Sequence, residues 1–185
     1  MEIRYANHPA EVKTFDTQKL REHFLIEKLF VPDTLTLYYT HVDRFIIGGA
    51  VPVNKTVKLE ADPKTIGAAT FLERREVGII NVGGKGSITV DGTVYELDSK
   101  DCLYIGLGAK DVTFASQDPA NPAKFYLNST PAHKTYPTVK AAISEATPQH
   151  LGSITNSNER TIYKYIHTGG IRSCQLVMGM TLLKP

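Results

Sequence analysis

Side chains able to do chemistry are sparse in this sequence, and most of them stand alone. The six histidines, His8, His23, His41, His133, His150 and His167, show no His-x-His or His-x3-His spacing. Local chain geometry therefore places no two imidazoles on one metal, and each reads as a surface or turn residue. No Gly-x-Ser-x-Gly turn presents a serine nucleophile, and Gly83-Gly-Lys-Gly86 lacks the Ser/Thr and the helix of a phosphate-cradling loop. It reads instead as a turn between strands. Cys102 and Cys174 are the only cysteines and lie far apart, which argues against a disulfide framework. What remains is one carboxylate in a spaced frame of glycines and a few polar residues near the end of the chain. The frame runs Glu76-Val-Gly-Ile-Ile-Asn-Val-Gly83, then Gly86 to Gly92, then Gly106-Leu-Gly108. The polar residues are Arg160, Lys164 and Gln175.

The elements that must position these groups are mostly strands. Asp16 to Ile26 predicts an early helix, capped by Asp16 or Thr17, with Leu20 and Phe24 spaced to share a face. Pro32-Asp33 ends that pattern, and Thr34–Thr40 and Arg44–Ile47 are β-rich. Short strands follow at Val77–Val82, Ser87–Val90, Thr93–Leu97, Cys102–Ile105, Val112–Ala115 and Ala123–Leu127. Asp91-Gly92 is a strong two-residue hairpin signal. Strands at this spacing without intervening helices predict a sandwich or small barrel. Prolines surround Thr138–Glu145, a candidate short helix in a connector. Two further strands are expected, Thr161–Ile166 and Ser173–Leu183.

Composition sets the outer limits. Over 185 residues, 21 basic and 19 acidic side chains leave a net charge of +2, with no Lys/Arg run to mark a nucleic-acid stripe. The N-terminus has no apolar signal region, and the most apolar stretch, Phe45–Val53, is too short to cross a bilayer. These features point to a cytoplasmic protein with neither nucleic acid nor membrane as partner.

The glycine frame resembles that of cupin barrels, whose motifs G-x5-H-x-H-x3,4-E-x6-G and G-x5-P-x-G-x2-H place three histidines and a glutamate on a metal. Glu76 and Gly83 supply the E-x6-G, and Gly106-Leu-Gly108 sits where P-x-G belongs. Counting back from Glu76 puts the two histidine positions at Thr70 and Leu72, or at Ala69 and Phe71. Counting forward from Gly108 puts the third at Asp111. None of these replaces an imidazole, so this barrel is expected to be metal-free and Glu76 to serve in a salt bridge or hydrogen bond. The division expected is an N-terminal helix and strands over 1–48, the metal-free barrel over 49–130, a connector over 131–152, and opening strands of a second, incomplete barrel over 153–185.

Longer strings narrow the resemblance. Phe71-Leu-Glu-Arg-Arg-Glu-Val-Gly-Ile-Ile-Asn-Val-Gly-Gly84, Pro131-Ala-His-Lys-Thr-Tyr-Pro137, Asn158–Tyr165 and Cys174-Gln-Leu-Val-Met-Gly-Met180 closely resemble the 5-keto-4-deoxyuronate isomerases, from about Leu20 to Pro185. The resemblance implies an all-β subunit of two cupin barrels and a hexamer. It further implies Zn2+ in the second barrel, on ligands beyond Pro185. The implied activity is a ketol isomerisation of an acidic keto-sugar, 5-dehydro-4-deoxy-D-glucuronate to 3-deoxy-D-glycero-2,5-hexodiulosonate, in pectin breakdown. The alternative is a non-catalytic module for sugar binding or subunit assembly. Arg160, Lys164 and Gln175 are the candidate substrate contacts. Because Leu176–Leu183 carries six large apolar residues, it must pair with the first barrel, another subunit or further chain, and the resemblance favours the last.

Overall fold

A computed structural model describes residues 1–183. In chain order the strands are β1 (Glu2–Arg4), β2 (Leu35–Thr40), β3 (Phe45–Ala50), β4 (Val57–Lys58), β5 (Arg75–Asn81), β6 (Gly86–Val90) and β7 (Thr93–Leu97). They continue with β8 (Cys102–Ile105), β9 (Val112–Ser116), β10 (Phe125–Pro131), β11 (Val139–Ala141), β12 (Thr147–Leu151), β13 (Arg160–Ile166) and β14 (Met178–Leu183). Three short helices precede the main sheets or interrupt them: α1 (Pro9–Val12), α2 (Thr17–Phe24) and α3 (Pro63–Ile66).

These strands form a seven-stranded sheet in the order β1-β2-β3-β10-β5-β8-β11 and a four-stranded sheet in the order β4-β9-β6-β7. Period-two alternation sends one side of each strand between them. Leu37, Ile46, Val77, Ile79, Leu103, Ile105, Phe125 and Leu127 from the large sheet meet Val57, Ile88, Val90, Leu97, Val112 and Phe114 in one buried core. The β6–β7 hairpin turns on Asp91-Gly92, whose φ angles of 46° and 86° fit the left-handed turn that twisted strands require. Arg75 enters the same interior. Its guanidinium donates to the Arg44 and Ser129 carbonyls and the Ser129 hydroxyl at 2.7–3.1 Å, and burial pushes its pKa down to about 10.

The three-stranded sheet β12-β13-β14 covers the outer face of the large sheet. A second buried cluster fills that junction, with Ile80, Cys102 and Tyr104 on one side and Tyr165, Ile166, Leu176 and Met178 on the other. Every residue of β5 is therefore buried, because both of its faces are covered. Gly78 lies at the closest approach, where a Cβ would stand 2.7 Å from both Ile166 Cδ1 and Met178 Sδ.

Two expectations change. Thr138–Glu145 is not a helix: β11 pairs antiparallel with β8, and a 3-10 turn at Ile143–Glu145 follows. The exposed edge of β8 offers backbone groups that this segment satisfies. The strand expected over Ser173–Leu183 begins only at Met178, since the backbone of 174–176 is turned toward a buried carboxylate. The helix forms as expected, with Asp16 as the cap of α2, and the face that Leu20 and Phe24 share is exposed. As for the terminal apolar strand, β14 pairs with β13, and Met178 packs on the first barrel's outer face. Val177 and Leu183 stay exposed.

Candidate functional site

Glu76 organises the region where the two units meet. On β5 it alternates with Val77, which lies in the barrel core, so its side chain leaves the barrel on the opposite face. There it is fully buried, and its carboxylate accepts five hydrogen bonds. Tyr104 donates its hydroxyl at 2.7 Å, Thr130 at 3.3 Å, and the backbone N–H groups of Cys174, Gln175 and Leu176 donate at 2.8, 2.8 and 3.0 Å. Three successive amides cradling one anion make a backbone nest, here filled by the protein's own side chain. Burial, reinforced by the bond to Glu76, pushes the Tyr104 pKa strongly upward, so the phenol remains a donor. Glu76 thus serves as a structural hydrogen-bond acceptor, and its side chain points away from the barrel interior in which the metal ligands of a cupin frame converge.

The other positions of that frame disperse. Asp111 lies on the surface, its N–H donating to Asp91 and its carboxylate 3.2 Å from Lys58 Nζ. Phe71 and Leu72 are buried among the apolar core residues, while Ala69 and Thr70 line a surface cleft beside Lys110. Among the described residues no group of three His, Cys, Asp or Glu side chains is arranged to hold a metal, so the zinc implied by the resemblance does not fit them.

Anchoring loop 173–177 shapes two adjoining cavities along the junction. The larger, of 510 Å³, lies between β11, the start of β12 and loop 167–172; Lys164, His167 and Arg172 line it. The smaller, of 360 Å³, shares Tyr136, His167 and Arg172 with it and is closed by Cys174 and Gln175. Of the candidate contacts, the fold brings Lys164 and Gln175 to this pair of cavities. Arg160 is elsewhere, at the other end of β13, where its guanidinium bonds the Asn158 carbonyl and side chain. His167 and Arg172 were not singled out by the sequence as binding residues. The available signal was Thr168-Gly-Gly170 directly after a strand, a turn that brings the residues on both sides to one strand end.

Two sheets, antiparallel apart from the β1–β2 pair, closed over one apolar core with a further sheet packed outside, define a protein of the cupin class. The chain belongs to the KduI/IolB family, whose model matches residues 26–185. A protein of Caldicellulosiruptor bescii named 4-deoxy-L-threo-5-hexosulose-uronate ketol-isomerase is 56% identical over 185 residues, covering 100% of this chain and 67% of that protein. Proteins with the same name from Lachnoclostridium phytofermentans and Escherichia coli O45:K1 are 57% and 53% identical, with the same coverage. The chain thus spans about two thirds of the length of these relatives. Among solved structures, an IolB-like protein of Salmonella typhimurium aligns over 65% of this chain and 43% of that one, at a TM-score of 0.48 and 14% identity. A cupin protein of Bacteroides fragilis aligns over 50% and 70%, at 0.34 and 23%.

Proposed function

We propose that this protein is a ketol-isomerase of acidic keto-sugars. It interconverts 5-dehydro-4-deoxy-D-glucuronate and 3-deoxy-D-glycero-2,5-hexodiulosonate in the breakdown of pectin and related polyuronides. The observation that carries this reading is identity of 53–57% along the whole chain to relatives bearing that activity in their names. The reaction moves a proton from the hydroxyl-bearing carbon to the neighbouring aldehyde carbon through an enediol, with no net change in oxidation level. It needs a group to carry the proton and a positive centre to stabilise the enediolate oxygens. Zinc, which the resemblance puts on ligands other than the described residues, would supply such a centre. The described residues contribute binding and orientation: Lys164 offers a cation and Gln175 an amide to the substrate. A cytoplasmic hexamer is the setting we propose.

The test is an isomerisation assay on the protein expressed from its native reading frame, run in deuterium oxide with and without a zinc chelator. The enediol route incorporates solvent deuterium at the former aldehyde carbon, and chelation abolishes turnover that added zinc restores. Sugar affinity without any turnover in the zinc-loaded protein would select the non-catalytic module instead.

A further inference from the structure

We propose that the larger junction cavity is a carboxylate-binding site, with Arg172, Lys164 and the His167 Nε2–H as its donors and a sugar acid as its ligand. Its identification with the substrate's acid group rests on the isomerase reading; the site itself rests on charge and geometry.

The cations around this cavity are unequal. Lys140 is engaged, its ammonium 3.3 Å from the buried Asp101 carboxylate. Glu145 lines the wall, but its carboxylate accepts the Ala142 N–H at 2.6 Å. Lys164 and Arg172 have no ion pair or side-chain hydrogen bond among the described residues. Two unpaired cations facing one concave space form an electrostatic complement to an anion, and a guanidinium recognises a carboxylate through two parallel bonds.

His167 adds a ring N–H donor that the loop orients. Gly169 N–H donates to Nδ1 at 3.2 Å, so the neutral ring carries its proton on Nε2. The loop can wrap this ring only with glycine at 170, where a Cβ would lie 2.7 Å from Nε2 and 2.8 Å from the Tyr165 carbonyl. A volume of 510 Å³ is within the range for small-molecule sites, and the apolar walls of Ala141, Ala146 and Ile171 strengthen charge recognition by displacing water. The cleft beside α2 differs in that, among the described residues, both of its arginines are engaged and only Lys28 is left: Arg21 pairs with Glu27, and Arg4 bonds Glu2 and backbone carbonyls.

Calorimetric titration with D-galacturonate, its methyl ester and D-galactose tests the site without requiring turnover. Galacturonate is expected to bind, weakening as salt rises, whereas the ester and the neutral sugar bind at least tenfold more weakly. R172Q and K164Q are each expected to lower galacturonate affinity roughly tenfold, a typical loss for a charge-assisted bond. Both side chains are exposed and, among the described residues, unpaired, so circular dichroism of the variants should match the parent. G170A, which crowds Nε2, should weaken binding while leaving both cations in place. Equal affinity for acid and ester, or unchanged affinity in both charge variants, overturns the proposal. Galacturonate binding lost in these variants, in a protein with no isomerase activity, would support the site and refute the activity. Turnover whose KM ignores both variants, together with unchanged binding, would do the reverse.

Discussion

A buried carboxylate with no cation beside it is stable only when donors surround it, and Glu76 has three amides and two hydroxyls. Each oxygen depends on accepting, since Oε1 takes the Gln175 and Leu176 amides and Oε2 takes Tyr104 and Cys174. E76Q would turn one acceptor into a donor facing donors. We predict that it destabilises the protein by about 3 kcal/mol, the scale of leaving buried groups of this kind unsatisfied, and that E76A costs at least as much. Chemical denaturation measures the loss, and hydrogen exchange should show it concentrated in the amides of 174–176. Unchanged protection there would mean that the loop is held by its apolar contacts instead. Cys102, by contrast, is inert: burial raises its thiol pKa to about 12, so alkylating reagents should spare it in the native protein.

At the scale of elements, one loop is tied down by a single acid. Asp33 accepts the backbone N–H groups of Val53, Asn54 and Lys55 and the Asn54 side-chain amide. The Asn54 side-chain bond is the largest of the effects that lower its pKa to about 2. Because the folded pKa lies below the unfolded value near 4, the stabilisation is fully present above pH 4 and is lost as pH falls through about 2. D33N should remove this part of the acid dependence, which parallel pH titrations of stability for parent and variant would reveal. The sheet junction depends on space rather than charge. G78A places a methyl group against Ile166 and Met178 and is expected to cost about 1–3 kcal/mol by overpacking, measured by thermal denaturation.

For the whole molecule, the apolar seam between the large sheet and β12-β13-β14 couples two units that share no strand. Leu176 and Met178 are buried in that seam. We predict that M178D releases the three-stranded unit and exposes Ile80 and Tyr104, while the barrel core of Ile79, Leu103 and Phe114 remains folded. Increased binding of a hydrophobic dye with retained β-type circular dichroism is the expected result. Cooperative loss of all structure would show that the barrel cannot stand without its cover. The same substitution should abolish sugar-acid binding, since the cavity has one wall in each unit.

The strands of the barrel were legible because alternation, β-branched residues and the Asp91-Gly92 turn are local signals that the tertiary structure reinforces. The strings around Glu76 and Cys174 also carried the family resemblance by themselves. Sequence alone did not determine which way Glu76 points. In a strand buried on both faces, as β5 is, polarity no longer distinguishes inside from outside, so the spacing to Gly83 left the parity open. Nor did it show that 138–145 is strand and turn, because the open edge of β8 that recruits it lies more than thirty residues away. The same reason separates the candidate contacts. Arg160 and Lys164 lie on one strand four residues apart, yet only Lys164 reaches the cavity, because the loop carrying Arg172 folds back beside that end of the strand. That fold-back depends on backbone amides 174–176 bonding an acid about a hundred residues earlier in the chain, a contact for which neither segment carries a local signature.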